Sequence, residues 1–291
     1  MPRALSEPRE GEDGVLLIPA SPWFDPDRIL DCGQCFRWRR GPDGRWSGVV
    51  GNLPARLHRR GDGWRLESLR GSEAFWRTYF DLETDYDAVE GQYRGLDSRL
   101  DTALELGRGI RILRQPFWET TVSFVLSANN NIPRIQGMIG RLCEAAGEPL
   151  GADGYGFPAP EAAAGLSEAH LRAMGFGYRA PFVVRLAEGF AAGRWAEDRF
   201  REGSTETARK GLLELPGVGP KVADCILLFS LGRRDAFPVD TWIKKTLAAL
   251  DQGKPQGQHI LSCLSEPCDN GFAGYVQQVL FYAARYQKWG I

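Results

Sequence analysis

The chain has 291 residues, 43% of them hydrophobic and 25% charged, with a formal net charge of −1. That is enough apolar content for one large core or two smaller ones, and no apolar run approaches the roughly 20 residues that a membrane helix needs. A near-neutral charge excludes nucleic-acid binding by bulk attraction alone, so such a partner would have to be held at local sites.

The opening MPRALSEPREGEDG is polar and acidic, unlike an export signal, and a cytoplasmic location is expected. Residues 14 to about 70 carry short Val, Leu, Trp and Arg segments broken at Gly41-Pro42-Asp43-Gly44, Gly51-Asn52 and Gly61-Asp62-Gly63. This is hairpin punctuation and predicts an antiparallel sheet. Cys32 and Cys35 form a C-x-x-C pair, but a zinc site needs a second pair and Cys263 and Cys268 have poor spacing for it. All six cysteines, Cys143 and Cys225 included, read as reduced thiols, and neither a metal nor another cofactor is expected.

From about residue 72 the periodicity becomes helical, with an acidic helix start near Ser72 and a helix opened by Gln115-Pro116-Phe117 that runs to Ala128. Residues 147–160 read as a loop, and residues 197–204 as a charged connection before a helix over 205–214. The expected fold is α+β: an N-terminal antiparallel β-sheet domain over 13–110 and a mostly α-helical core over 111–291.

The most informative stretch is Leu215-Pro216-Gly217-Val218-Gly219-Pro220-Lys221-Val222-Ala223-Asp224-Cys225. It reads as helix, glycine turn, helix. Gly217 and Gly219 permit positive φ and close backbone approach, and the first N–H groups of the second helix, that of Val222 among them, face an anion. The same pattern serves an ordinary helix–helix turn. A Walker phosphate loop is excluded, because Val222 stands where that loop needs Ser or Thr. Lys221 opens an apolar helix at the positive end of its dipole, partly desolvated, a setting that suits a nucleophilic amine.

Nineteen residues on, Pro238-Val239-Asp240-Thr241-Trp242 precedes the helical IKKTLAAL. Asp240 is placed as an N-cap, and its carboxylate can also stabilise positive charge developing at a sugar carbon.

LPGVGPKVADC followed by PVDTW resembles the helix-hairpin-helix glycosylase superfamily. CGQCFRW (32–38), ANNNIPRIQGMIGRLCEAAG (128–147), GFGYRA (175–180) and VQQVLF (276–281) narrow the resemblance to the 8-oxoguanine DNA glycosylase family across nearly the whole chain. The resemblance implies that Lys221 is a Schiff-base nucleophile and Asp240 the catalytic carboxylate. It implies that Asn129, Arg134 and Arg179 hold the orphaned cytosine, that Tyr178 wedges into the vacated stack, and that Gly217, Gly219 and Val222 bind DNA phosphate.

Each position also has a plain reading. Three consecutive amides, Asn129 to Asn131, end one helix and cap the next, and Tyr178 alone could be a core residue. Gln277 and Phe281, four apart, share a helix face, as Lys221 and Cys225 do, and periodicity alone makes Phe281 and Cys225 core. By resemblance, Gln277 reads the flipped base edge, Phe281 stacks on it, Cys225 is the opposite wall, and Phe229 and Pro238 line the same pocket. Gly33, otherwise a turn glycine, offers its carbonyl to the N7 proton that 8-oxoguanine has and guanine lacks. Trp242 stands where many relatives carry a histidine.

The implied partner is duplex DNA containing 8-oxoguanine, acted on by a single chain. Two rivals stay open. An oxidised-pyrimidine glycosylase of the same superfamily would bring an iron–sulfur cluster on four C-terminal cysteines, where this chain has two. A non-catalytic DNA-binding module, or an enzyme using water and Asp240 alone, would leave Lys221 without a role.

Overall fold

The computed structural model describes residues 14–68, 70–251 and 271–287. Cys263 and Cys268 lie outside them. Strands β1 (Val15–Ile18), β2 (Trp38–Arg40), β3 (Trp46–Val50), β4 (Leu53–Arg60) and β5 (Gly63–Glu67) form one sheet in the order β1-β5-β4-β3-β2. Every neighbouring pair is antiparallel. The predicted turns join β2 to β3, β3 to β4 and β4 to β5, with Gly44, Gly51 and Gly61 at φ +77°, +57° and +61°.

Period-two alternation buries Leu16, Ile18, Trp38, Trp46, Leu57 and Leu66 on one face. The helix α2 (Glu73–Tyr79) covers that face with Trp76 and Tyr79. Trp38 meets Trp76 edge-on with centroids 6.3 Å apart, and its ring N–H donates to the Tyr79 hydroxyl at 2.9 Å, which pairs those two buried groups.

The remaining helices are α1 (Pro26–Leu30), α3 (Tyr86–Gly91), α4 (Ser98–Gly107), α5 (Phe117–Ser127), α6 (Ile132–Ala146), α7 (Pro160–Ala164), α8 (Glu168–Ala173), α9 (Ala180–Ala191), α10 (Asp198–Arg201), α11 (Thr205–Leu212), α12 (Pro220–Phe229), α13 (Thr241–Asp251) and α14 (Ala273–Tyr286). Ser72, Asp85, Asp97, Asn131, Ser167 and Ser204 cap α2, α3, α4, α6, α8 and α11 with their side chains. The expected connection at 197–204 contains a helical turn, α10, closed by an Arg201–Glu197 ion pair one turn apart. A run of charge reads as loop in a sequence, yet alternating signs four apart also favour a helix.

Two hydrophobic cores result. The sheet core takes residues from Leu16 to Leu82 together with Leu113. Tyr86, Val89, Leu100, Leu104 and Ile110, within the expected first domain of 13–110, pack into the helical core. Arg111 pins the two together. Its fully buried guanidinium donates to the carbonyls of Trp23 at 3.0 Å and Thr84 at 2.8 Å, and it lies 4.3 Å from the Tyr86 ring. Helices α12 and α14 are buried almost all round, which places them at the centre of the helical half. Among the described residues no helix is long and apolar enough to cross a membrane.

Candidate active site

The turn between α11 and α12 is built around one obligatory glycine. Gly217 sits at φ +77°, and a Cβ there would come within 2.8 Å of the Phe182 ring. Gly219, expected to share that conformation, does not. It is extended at φ −95°, ψ −179°, and a Cβ on it would meet nothing within 4 Å. Its lack of a side chain instead leaves open the start of α12, which has Pro220 in its first turn and no side-chain cap. The first N–H groups, that of Val222 included, are the unfilled donors that any helix start presents. The Val222 side chain itself is buried in the core.

Lys221 leaves this first turn toward a small cavity lined by Gly33, Phe124, Cys225, Phe229, Pro238, Asp240, Gln277, Gln278 and Phe281. The ammonium donates to Ser127 Oγ at 3.1 Å and lies 5.0 Å from the centre of the Phe124 ring. Asp240 caps α13, accepting from the Ile243 N–H at 2.8 Å through Oδ1, which leaves its other carboxylate oxygen free of that bond. Cap and cavity wall are therefore the same residue. Burial pushes the Cys225 thiol up to about 11, against the pull of the nearby Lys221 charge. It stays protonated at neutral pH, and a protonated thiol is a poor nucleophile.

The cavity's far wall belongs to α14. Gln277 is 4% exposed, and its Oε1 is buried with no hydrogen-bond partner among the described residues. The neighbouring Gln278 donates to the Cys32 carbonyl at 2.8 Å and so anchors the 32–35 loop. Gln34 anchors it from the other side, donating to the Ile29 and Arg111 carbonyls at 3.0 and 2.9 Å. The loop holds Gly33 at φ +81°, where a Cβ would stand 3.4 Å from the Phe281 ring. The Cys32 and Cys35 thiols turn inward to the carbonyls of Ile29 and Leu30, and burial pushes Cys32 up to about 12.

A second group lies at the end of α5. Asn129 is exposed, at φ +48°, and Arg134 is exposed in the first turn of α6. Tyr178 is 49% exposed, hence no core residue, and its hydroxyl donates to the Ala128 carbonyl at 3.0 Å. Arg179 is 3% exposed. Its guanidinium stacks 4.4 Å from the Tyr178 ring and donates to the Ala128 and Asn129 carbonyls, each at 3.0 Å. These bonds fill acceptors that the end of a helix leaves open.

The structure thus gathers Lys221, Asp240, Gly33, Cys225, Phe229, Pro238, Gln277 and Phe281 around one cavity, and Asn129, Tyr178 and Arg179 around one carbonyl corner. Phe124, Ser127 and Gln278 complete the site without any sequence signal of their own, because the Ser127–Lys221 contact spans 94 positions. A much larger groove, about 1020 Å³, runs beside the sheet between Arg40, Arg45, His58 and Asp62. It holds no lysine, and its Arg28, Arg40 and Arg45 are paired with Asp25, Asp27 and Asp43. Size alone does not locate this site.

Residues 15–121 match the family described as 8-oxoguanine DNA glycosylase, N-terminal domain, and residues 122–268 the HhH-GPD superfamily of base excision DNA repair proteins. An N-glycosylase/DNA lyase of Arabidopsis thaliana is 31% identical over 225 residues, which are 72% of this chain and 62% of the plant protein, just under two thirds of that relative's length. A probable N-glycosylase/DNA lyase of Methanothermobacter thermautotrophicus is 32% identical over 230 residues, 71% of each protein. The crystal structure of Clostridium acetobutylicum 8-oxoguanine glycosylase/lyase in complex with double-stranded DNA containing cytosine opposite 8-oxoG superposes with a TM-score of 0.86 at 31% identity, over 98% of this chain and 99% of that one. With both halves matched in order, this chain belongs to the 8-oxoguanine DNA glycosylase family of the HhH-GPD superfamily.

Proposed function

We propose that this protein is an N-glycosylase/DNA lyase of base excision repair that removes 8-oxoguanine opposite cytosine from duplex DNA. The observation that carries this reading is the buried Gln277 Oε1, without a hydrogen-bond partner among the described residues, in the same cavity as Lys221 and Asp240. A buried acceptor without a donor is costly in the free protein. A guanine-type base carries N–H donors on its Watson–Crick edge that would satisfy it, and a thymine-type base presents fewer. The Gly33 carbonyl would accept the extra N7 proton of the lesion.

In this reading the phosphates of the bent duplex sit on the Gly217–Val222 helix start and the target nucleotide swings out of the stack. The cavity in the free protein is about 40 Å³, room for ordered water and not for a purine. Phe281, which closes on Gly33, must therefore swing aside and then stack on the base. The Lys221 amine attacks C1′ with its lone pair. The glycosidic bond breaks with its electrons going to the departing base, and the Asp240 carboxylate stabilises the positive charge that develops on the sugar. Loss of the amine proton opens the ring to an imine. Removal of a C2′ proton then expels the 3′ phosphate, nicking the strand by β-elimination. Asn129, Arg134 and Arg179 hold the orphaned cytosine, and Tyr178 fills the gap beside it. The protein acts as a single chain wherever the cell keeps its DNA, in the nucleoid or the nucleus.

Borohydride trapping separates this from the pyrimidine-lesion rival. A covalent adduct is expected on a duplex with one 8-oxoguanine opposite cytosine and not on a thymine-glycol duplex. An adduct on thymine glycol alone overturns the lesion class, and no adduct on either overturns the imine.

A further inference from the structure

Ser127 touches the Lys221 amine, and the two residues that follow it, Ala128 and Asn129, are gripped through their carbonyls by Tyr178 and Arg179. We propose that the last turn of α5 couples the base opposite the lesion to the nucleophile, with Ser127 as the positioning residue that sets the Lys221 amine. The inference rests on the imine chemistry proposed above for Lys221 and on the opposite-strand role proposed there for Asn129, Tyr178 and Arg179.

Ser127 Oγ has one proton, and the Phe124 carbonyl takes it at 2.7 Å. Toward Lys221, 3.1 Å away, the hydroxyl is therefore an acceptor only. An amine attacks through its lone pair, and one that commits an N–H to Ser127 has that lone pair turned elsewhere. With the Phe124 ring 5.0 Å from the same nitrogen, the remaining direction is the cavity between Asp240, Gln277 and Phe281. Ser127 thereby orients the nucleophile without touching the substrate.

One peptide further on, the Ala128 carbonyl accepts from the Tyr178 hydroxyl and the Arg179 guanidinium, and the Asn129 carbonyl accepts from Arg179 again. Asn129 holds a left-handed φ of +48°, a strained conformation that persists only where surrounding bonds over-determine it. These clamping side chains belong to the patch that faces the opposite strand, so whatever base engages Arg179 and Asn129 changes the grip on Ala128. Ser127 is covalently next in line. A cytosine that satisfies the patch keeps the turn set with Ser127 on Lys221, and an adenine that does not leaves the amine misdirected.

The test is the single-turnover rate of borohydride-trappable imine formation on abasic-site duplexes with cytosine or adenine opposite the gap. No lesion base is needed there, so a failed coupling is distinguishable from a wrong lesion. If the wild type traps the abasic duplexes and leaves 8-oxoguanine untouched, only the lesion reading fails. If it traps neither, the imine reading fails.

For Ser127→Ala the expected result is a loss of about three- to tenfold in rate opposite cytosine, the worth of one hydrogen bond. Duplex affinity should stay within about twofold, and the cytosine-over-adenine rate ratio should fall toward one. Ser127→Thr keeps the hydroxyl and restores both. Tyr178→Phe removes one bond to Ala128 at an exposed position and provides a variant whose folding is not in question. It should shrink the ratio in the wild type and change nothing in the Ser127→Ala background, the non-additivity of a shared path. A full rate in Ser127→Ala, an equal loss opposite both bases, or additive effects of the two variants would overturn the coupling.

Discussion

The cavity around Lys221 and the patch around Ala128 share helix α5 but are built by opposite rules. In the cavity the buried Phe124, Cys225, Phe229 and Phe281 flank Lys221 and Asp240, and one buried acceptor, Gln277 Oε1, has no donor among the described residues. In the patch the side chains of Tyr178 and Arg179 spend their donors on backbone carbonyls in the free protein. The cavity thus presents an open acceptor that a base with matching N–H donors can fill, while the patch must exchange existing bonds for new ones. Binding a base gains more in the first than in the second. Under the proposed function, this difference predicts that lesion choice lies in the cavity and the weaker, adjustable choice of opposite base in the patch.

The largest expected effect that sharpens this division is Lys221→Gln. Nicking and the borohydride adduct should be lost by about a thousandfold or more, with duplex affinity kept, because in the proposed mechanism the amine is the covalent group and the substitution removes little else. Gel-shift and trapping assays on one preparation check both halves. Next comes Gln277→Leu, where excision of 8-oxoguanine should fall about tenfold or more as its Watson–Crick edge loses its acceptor. The same variant should be more stable to urea by roughly 1–3 kcal/mol, since the unpaired buried polar group is gone. A variant that is both less active and less stable would argue that Gln277 has a structural partner.

Arg134→Gln probes the patch. The preference for cytosine over adenine opposite the lesion should drop by about 1–3 kcal/mol, with trapping opposite adenine unchanged. A uniform drop would make Arg134 a phosphate contact instead. The smallest effects contrast the two hairpin glycines. Gly217→Ala should lose about 1–2 kcal/mol of stability from its left-handed φ alone, and more as the Cβ pushes on Phe182. Gly219→Ala should change stability by less than about 0.5 kcal/mol while weakening DNA binding, because its Cβ would stand in the open mouth of the helix start. Equal stability losses would contradict the different roles found for the two positions.

Local signals carried much of this into the sequence. Hairpin turns announced the sheet, because glycine at positive φ is a local requirement, and Leu215–Cys225 announced the turn and the lysine because the whole motif is contiguous. Asp240 was readable as a cap for the same reason. What stayed illegible is what contact across the fold decides. Gly219 looks like Gly217 in a sequence, yet only Gly217 is left-handed, and only there would a side chain run into Phe182. Ser127 gave no signal, since its partner lies on another helix. The helical turn at 198–201 was hidden by its own charge. That Arg179 would be buried and Tyr178 exposed, side by side, depends on the carbonyls that end α5, which no pattern of neighbouring residues reveals.

The most direct measurement is peptide mapping by mass spectrometry of the borohydride-trapped complex on an 8-oxoguanine:cytosine duplex. The reduced sugar remnant is expected on the peptide carrying Lys221. A remnant on Lys244 or Lys245, or on the chain's amino terminus, would contradict it.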